Sequence, residues 1–576
     1  MRVRRTVAQT IAACLVRHGI RSVFSQSLPS AVALALEDLG VTQIAYRTEN
    51  AGAAMADGFA RVSGRAAVVT AQNGPAATLL VPGLAEALKA SIPVIALVQE
   101  VNRPQADRNA FQELDHFALF SGVAKWIRKP IEPSRIADYV DLAFATATGG
   151  RPGPVVLLLP ADLLLEEVPA ESSRRADLGS FPLDRFMPGP QRLEEAADLL
   201  AKAKMPLIIA GGGVHLSGAS QSLAQLQEQA RLPVLTTVMG KGAVDERHPL
   251  SLGVAGYALG RLSPARHMRS LIADADVILL VGTRTNQNGT DSWTAYPQNA
   301  KYIHVDVDSS EIGRNYEALR LVGDARETLT ALTQRLAGRR APIPDLERAV
   351  ATARIRHQED MQPLFGSNQS PIRPERLMAD IQTVLTKETI VVADASYSTL
   401  WVACYLQSLT AGMRFITPRG IAGLGWGLPL ALGAKAARPH DPVLTVVGDG
   451  GFAHVWSELE TSRRMNLPVV GIVLNNGVLG YQKDAEDVKF GRHTSACRFA
   501  PVDHALIAHA CGCRGIRVEA PGDFLPALRQ ALAADVTTVI DVVTDPEAYP
   551  PITFFEGRLE EVRDGRQNAK QPASAT

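Results

Sequence analysis

The sequence predicts an α/β protein of three doubly wound parallel-sheet domains, and three observations carry that prediction. The chain has 576 residues, too many for one core and suited to about three domains of ordinary size. Short apolar runs alternate with stretches of helical periodicity along most of its length, the pattern of βα units feeding a parallel sheet. Several runs end in glycines or acids, as in PLIIAGG (Pro206 to Gly212) and YIHVDVD (Tyr302 to Asp308), and ligands gather at such strand ends.

The elements follow in order. The opening MRVRRTVAQTIAACLVRHGI sets basic residues before apolar ones, as an export signal does. Gln9 and Arg17 interrupt the apolar part, so it reads as an amphipathic first helix. Residues 1–168 alternate helical and strand patterns, closing on GPVVLLLPADL (Gly153 to Leu163), and form the first domain. A linker containing Pro, Gly and Ser lies between Pro169 and Pro190. The second domain, 190–338, carries the strand runs PLIIAGG, PVLTTV (Pro233 to Val238), DVILLVG (Asp276 to Gly282) and YIHVDVD. A polar stretch from Arg339 to Arg373 leads into the third domain, 374–548. The tail Gln567 to Thr576 reads as frayed.

Composition narrows the function classes. With 59 basic and 59 acidic residues the formal net charge is zero, so nothing points to nucleic acid or an anionic membrane surface. No apolar run is long enough to span a bilayer. Five cysteines, an odd number and scattered, point to a reducing cytoplasm; Cys511 and Cys513 lack a second pair for zinc.

The densest chemistry lies in GDGGFAHVWSELETSRRMNLPVVGIVLNN, Gly448 to Asn476. The strand run DPVLTVV (Asp441 to Val447) feeds a sharp Gly-Asp-Gly-Gly turn whose backbone N–H groups can face an anion. Phe452 to Met465 has a helical pattern, and PVVGIVL (Pro468 to Leu474) is a second buried strand that delivers Asn475 and Asn476 beside the first strand's end. Asp449 and Asn476 can therefore converge on a hard divalent cation such as Mg²⁺, which takes oxygen ligands and substrate phosphates. The plainer reading is a tight turn and a loop cap.

This motif resembles the signature of the thiamine diphosphate (ThDP) enzyme superfamily, GDG followed in the mid-twenties by NN; here Asp449 and Asn476 are 476 − 449 = 27 positions apart. Two further segments share the resemblance, in family order across nearly the whole chain. YRTENAGAAMADGFARVSGRAAVVTAQNGPAAT (Tyr46 to Thr78) is similar to the pyrimidine-binding half, and GIAGLGWGLPLALGAKAA (Gly420 to Ala437) to the segment that bends the cofactor. The resemblance implies that Asp449, Asn476 and the carbonyl of Val478 hold Mg²⁺. Gly448, Gly450, Gly451 and Leu479 would line the diphosphate, with donors from Ser396, Tyr397 and Ser398. Leu424 would fill the angle between the cofactor rings, and the carbonyl of Ala422 would accept from its amino group. Glu49 would hydrogen-bond the aminopyrimidine and promote cofactor activation. From the residues alone, Glu49 also reads as an acid favoured at a helix N-terminus, though that does not predict the rest of the pattern; Leu424 reads as plain core, and each serine as a helix cap. The resemblance also implies a homodimer or homotetramer in which Glu49 of one subunit serves Asp449 of another.

Within the superfamily the chain is most similar to the acetolactate synthase branch. FQELDHFALFSGVAKW (Phe111 to Trp126) resembles its FQE…K segment, placing Gln112 and Lys125 near the substrate entrance; Lys125 also reads as a surface lysine. The implied reaction is decarboxylation of a 2-oxo acid donor and carboligation onto a carbonyl acceptor. Departures leave that acceptor open. Where the branch reads RFDDR, this chain has Arg284, Thr285, Asn286, Gln287 and Asn288, and an amide does not replace a bidentate arginine. Ser25 to Pro29 replace a glycine-rich turn. Gln72 and Asn73 resemble the sulfoacetaldehyde acetyltransferase branch, while Asp394 with Leu400 and Trp401 is faintly similar to benzaldehyde lyase. A catalytically idle ThDP-binding subunit is the reading from another class, against which intact Glu49, Asp449 and Asn476 stand. In the middle domain, Gly211 to Gly218, Met239 to Gly242, Gly282 to Arg284 and Asp306 to Asp308 fall where the branch binds FAD or an adenine nucleotide, and they suit ordinary packing as well.

Overall fold

The computed structural model describes residues 4–169 and 177–570, with side chains to 564. Part of the Pro169–Pro190 linker and the end of the tail lie outside the described residues.

Three six-stranded sheets, each wholly parallel, follow one another along the chain. The first runs in the spatial order Thr42–Ile44, Ser22–Phe24, Ala67–Ala71, Val94–Glu100, Val155–Pro160, Trp126–Arg128. The third runs Phe415–Ile416, Ile390–Ala393, Val443–Gly448, Val470–Asn475, Thr538–Val543, Arg514–Val518. Numbered within their own sheets, both read 2-1-3-4-6-5. The middle sheet reads 3-2-1-4-5-6: Ser251–Val254, Val234–Thr236, Pro206–Ala210, Val277–Val281, Lys301–Asp306, Ala318–Val322. The predicted α/β class and triple parallel-sheet architecture are therefore present. All four strand runs expected in the middle domain are strands; the two additional ones are the sheet's edges.

Each central strand is buried on both faces because helices cover both, which is why these runs are continuously apolar. The first and third domains also share a core. The helix Glu49–Ser63 packs along Gly427–Ala437, and their small residues let the backbones approach closely: a Cβ on Gly58 would meet the backbone of Leu430, and one on Gly433 that of Met55. The first helix is Val7–Arg17, as its amphipathic pattern predicts. A reciprocal Thr6–Gln9 capping box starts it, and the strand Arg4–Thr6 pairs antiparallel with Glu167–Pro169.

Three expectations are corrected. The helical pattern over Phe452 to Met465 is two short helices, Asp449–Phe452 and Glu458–Arg464, broken so that Glu458 can reach across to the first domain. The polar stretch before the third domain contains a 20-residue helix, Leu346–Phe365, anchored by one stripe of Leu346, Val350, Ala353 and Met361. The helix Arg558–Lys570 extends into the segment read as frayed.

Candidate functional site

In an open parallel sheet, ligands sit outside the carboxyl ends of strands where neighbouring chain connections diverge. In the third sheet that point lies between Ile390–Ala393 and Val443–Gly448, and a cleft of about 600 Å³ opens there. It is lined by the loop after the first strand (Asp394 to Ser398), the turn after the second (Gly448 to Gly451), the bend after Val470–Asn475 (Asn476, Val478, Leu479), and Ala422 with Leu424. Every residue expected from sequence to hold the metal, the diphosphate or the bend between the cofactor rings thus lines one cleft.

Asp449 is its electrostatic centre. It is buried at the tip of a strand, where its carboxylate accepts from the backbone N–H groups of Gly450 (2.8 Å) and Gly477 (2.7 Å). Burial outweighs those two donors and pushes its carboxyl up to about 6. A carboxylate short of compensating charge, beside the Asn476 amide and the Val478 backbone, suits a divalent cation. Asn476 accepts from the N–H of Val478 at 3.1 Å, which fixes its orientation. Neighbouring Asn475 is committed elsewhere, to Asp541 and the carbonyl of Val502.

The glycines of the turn admit neighbours that a side chain would exclude. A Cβ on Gly450 would lie 2.9 Å from the Phe499 ring and 3.1 Å from Leu479, and one on Gly451 would collide with the Asp394 carboxylate. That carboxylate, also buried, accepts from the N–H groups of Ala395, Gly425 and Trp426, tying the Ile421–Leu424 loop to the first strand's end. Ala422 at the loop's apex has φ +61°, and Ser396 has φ +67°. Left-handed geometry at non-glycine residues is held here by the surrounding hydrogen bonds. Leu424 is half-buried at the cleft wall rather than in the core.

The hydroxyls of Ser396 and Ser398 make no hydrogen bond among the described residues and remain free for an anion. Tyr397 differs: its hydroxyl donates to Asp484 at 2.6 Å, so the ring lines the cleft while its donor is occupied. Any contact of Tyr397 with a diphosphate would therefore fall to its backbone N–H rather than to its hydroxyl.

The remaining candidates lie at the matching end of the first sheet. Glu49 opens the helix after Thr42–Ile44, with Thr48 as its cap, and burial raises its carboxyl above the ordinary range. Gln72 and Asn73 follow Ala67–Ala71. The Gln72 amide donates to Gln112 Oε1 at 2.7 Å, and Asn73 Nδ2 donates to the carbonyl of Gln112 at 3.0 Å, holding Gln112 at φ +61°. Behind them the N–H of Gly74 donates to His116 Nε2 at 3.0 Å, leaving Nδ1 to donate to buried Glu100 at 2.6 Å. Lys125 does not join this group: its ammonium donates to the carbonyls of Thr146, Gly149 and Arg151 and caps a helix end. None of Glu49, Gln72, Asn73 and Gln112 lines the cleft around Asp449.

A second cleft opens at the switch point of the middle sheet. Gly212, Gly213, Met239, Gly282, Thr283, Arg284 and Asp306 line it together. Asp306, buried at its strand's end, is pushed up to about 6 by burial. The MGKG turn's Lys241 faces elsewhere, in a buried pair with Glu246 at 2.8 Å. Tyr257, Asn288 and Arg419 line both clefts. Sequence reasoning missed Tyr257 and Arg419, along with the buried acids Glu86 and Glu458, because none sits in a spaced motif.

Comparison with known proteins agrees with this geometry. Residues 5–119 match the thiamine pyrophosphate enzyme N-terminal TPP binding domain, 193–332 its central domain, and 394–542 its C-terminal TPP binding domain. A probable acetolactate synthase large subunit of Methanocaldococcus jannaschii is 33% identical over 568 residues, covering 96% of this chain and 94% of that protein. The acetolactate synthase isozyme 3 large subunit of Escherichia coli K12 is 30% identical over 96% of this chain and 98% of its own length. The sulfoacetaldehyde acetyltransferase of Castellaniella defragrans is also 30% identical, over 95% and 94%. With three matched domains in order and a cleft that gathers the signature residues, the chain belongs to the thiamine diphosphate (pyrophosphate) enzymes, in their acetolactate synthase-like group.

Proposed function

We propose that this protein is a Mg²⁺- and ThDP-dependent carboligase that decarboxylates a 2-oxo acid and joins the remaining acyl unit to a carbonyl acceptor. The observation that carries the reading is the gathering of Asp449, Asn476 and Val478 with the Gly448–Gly451 turn in one cleft at a sheet switch point. In that cleft Asp449, Asn476 and the Val478 carbonyl would hold Mg²⁺. Ser396, Ser398, Gly450, Gly451 and Leu479 would hold the diphosphate, and Leu424 with the Ala422 carbonyl would hold the cofactor's rings. Bound ThDP supplies the electron sink that lets a carbon–carbon bond break beside a carbonyl.

The chain's own part is binding, orientation and proton control. Glu49, nearly enclosed and without a cationic partner among the described residues, would hold a proton against the aminopyrimidine nitrogen; its upward-shifted carboxyl suits that exchange. Gln72, Asn73 and Gln112 form a fixed amide cluster that would orient the reacting carbonyl. Because Glu49 does not line the cleft around Asp449 within one chain, the reading requires a homo-oligomer, at least a dimer, with Glu49 supplied by the partner. Exposed apolar side chains on the first domain, Leu79, Phe111, Leu114 and Phe117, support such an interface.

The proposed domains span 1–168, 190–338 and 374–548. The middle cleft's glycines and Asp306 suit FAD or an adenine nucleotide. No helix among the described residues is long and apolar enough to cross a membrane; five unpaired cysteines support a cytoplasmic location.

The test is CO₂ release and product mass from a panel of 2-oxo acids, with ThDP and Mg²⁺, each with and without aldehyde, 2-oxo acid or phosphate acceptors. Products one acceptor heavier than the decarboxylated donor are expected. An acyl phosphate formed only with phosphate would move the chain to the acetyltransferase reading, and no turnover of any donor would remove the catalytic one.

A further inference from the structure

The cleft around Asp449 is lined by four charged side chains, and three are carboxylates: Asp394, Asp449 and Asp545. Asp394 is held by backbone N–H groups, and Asp545 pairs with Arg373 at 3.2 Å. The fourth is Arg419, half-buried, with no carboxylate partner among the described residues. Its guanidinium lies over the ring of Tyr257, 5.4 Å from the centroid, and among the described residues the buried hydroxyl of Tyr257 has no hydrogen-bonding neighbour other than this guanidinium. Neutral Asn288 lines the same junction between the two clefts.

The backbone around Arg419 is fixed. Its own N–H donates to the carbonyl of Thr417, which also accepts from Arg61 at 3.0 Å. The next two N–H groups, of Gly420 and Ile421, donate to the buried Glu86 carboxylate at 2.7 Å each. The cation therefore stands at the foot of the loop that carries Ala422 and Leu424, pointing toward space shared by both clefts.

The chemistry of 2-oxo acids gives such a cation a use, and this step rests on the function proposed above. Donor and acceptor both enter as anions into a cleft whose other charged side chains are carboxylates. Joining them takes up one proton: two 2-oxo acid anions and H⁺ give one 2-hydroxy-3-oxo acid anion and CO₂. The donor's carboxylate departs as neutral CO₂, so a guanidinium bound to it would stabilise the ground state more than the transition state and slow the step. The acceptor's carboxylate survives into product, and its binding carries no such penalty. We infer that Arg419, flanked by the Tyr257 hydroxyl, is the receptor for the acceptor's carboxylate and sets the preference for an anionic over a neutral acceptor. A guanidinium offers the planar two-point geometry that a carboxylate matches.

Arg419→Met, which keeps a stem of similar length against Tyr257, and Arg419→Lys would be compared with the wild type as holoenzymes with ThDP and Mg²⁺. Pyruvate serves as donor and anionic acceptor, in competition with benzaldehyde as neutral acceptor. The expected result for Arg419→Met is a fall of roughly ten-fold or more in the ratio of 2-hydroxy acid to neutral hydroxyketone, with an intermediate ratio for Arg419→Lys. Calorimetric binding of 2-hydroxyisobutyrate, a carboxylate with no carbonyl to attack, should weaken by a similar factor. An unchanged ratio in a variant that still ligates overturns the inference alone, as does an equal fall in both products. Weakened FAD or ADP binding with an intact ratio overturns it by assigning Arg419 to the central cleft. A wild type that releases CO₂ yet forms no carbon–carbon bond with either acceptor overturns the proposed function and this inference together.

Discussion

Asp449 illustrates how a single side chain couples folding to ligand. Its carboxyl is pushed up to about 6 in the folded chain, against about 3.9 when unfolded. A raised folded value means that this group's contribution to stability is present below about pH 4 and lost as pH rises through about 6, a loss of roughly 3 kcal/mol for a shift of about two units. Asp449→Asn removes the charge while keeping an acceptor for one of the two N–H groups. In EDTA at pH 7.5 the variant should therefore be more stable than the wild type by roughly 1–2 kcal/mol, the gap closing by pH 4.5. Denaturant melts measure it. Adding Mg²⁺ and ThDP should reverse the order, because only the wild type gains a bound cation. At this scale the sequence was legible in placement: the spacing of Asp449 and Asn476 brings both to one cleft. It was not legible where a role depends on what a side chain has already bound: the Tyr397 hydroxyl is committed to Asp484, and Lys125 to three carbonyls.

Between elements, two buried acids hold the cofactor-facing segments of opposite domains. Glu86, on the helix Pro75–Ala90 of the first domain, accepts from Gly420 and Ile421 of the third and pairs with Arg61. Glu458, on a helix of the third domain, accepts from the N–H groups of Arg47 and Thr48, immediately before Glu49. The two contacts mirror each other, as the shared strand order of the two sheets would lead one to expect: in each, a carboxylate following the third strand's turn seizes two backbone donors beside the other domain's working residue. Glu86→Ala would leave Arg61 with only Asp57 as its ionic partner and two part-buried N–H donors, of Gly420 and Ile421, without their acceptor. A destabilisation of about 3 kcal/mol is expected, with weaker ThDP binding as the Ala422–Leu424 loop loosens. Glu86→Gln, which keeps one acceptor, should fall between; thermal melts and ThDP titration distinguish the two. These contacts span 334 and 411 positions of chain, and no local pattern announces them. The same holds for the break within Phe452–Met465, where helical periodicity is real on both sides but the reach of Glu458 requires a turn between them.

Over the whole molecule, the apolar runs and strand-end glycines sufficed to place three parallel sheets, because strands buried on both faces cannot hide their hydrophobicity. Edge strands such as Ser251–Val254 and Ala318–Val322, shorter or half-exposed, left a weaker trace. Composition and periodicity did not reveal that Glu49 lies outside the cleft around Asp449 in one chain; only the family resemblance implied it. The Glu49–Ser63 helix buries its small-residue face against Gly427–Ala437, so the first domain is docked on its own third domain, and in that arrangement Glu49 is not among the residues lining the cleft. On the proposed function, completing a site would take a second copy, with isologous contacts that form two sites at once. This gives a complementation test. Glu49→Gln and Asp449→Asn chains should each be inactive alone. If the site is shared between subunits, a heterodimer of the two carries one site with both defects and one with neither. Random mixing gives half heterodimers, so unfolding, mixing and refolding equal amounts should restore roughly a quarter of wild-type turnover. If each site lay within one chain, every site in the mixture would keep its own defect, and turnover would stay at the level of the single variants.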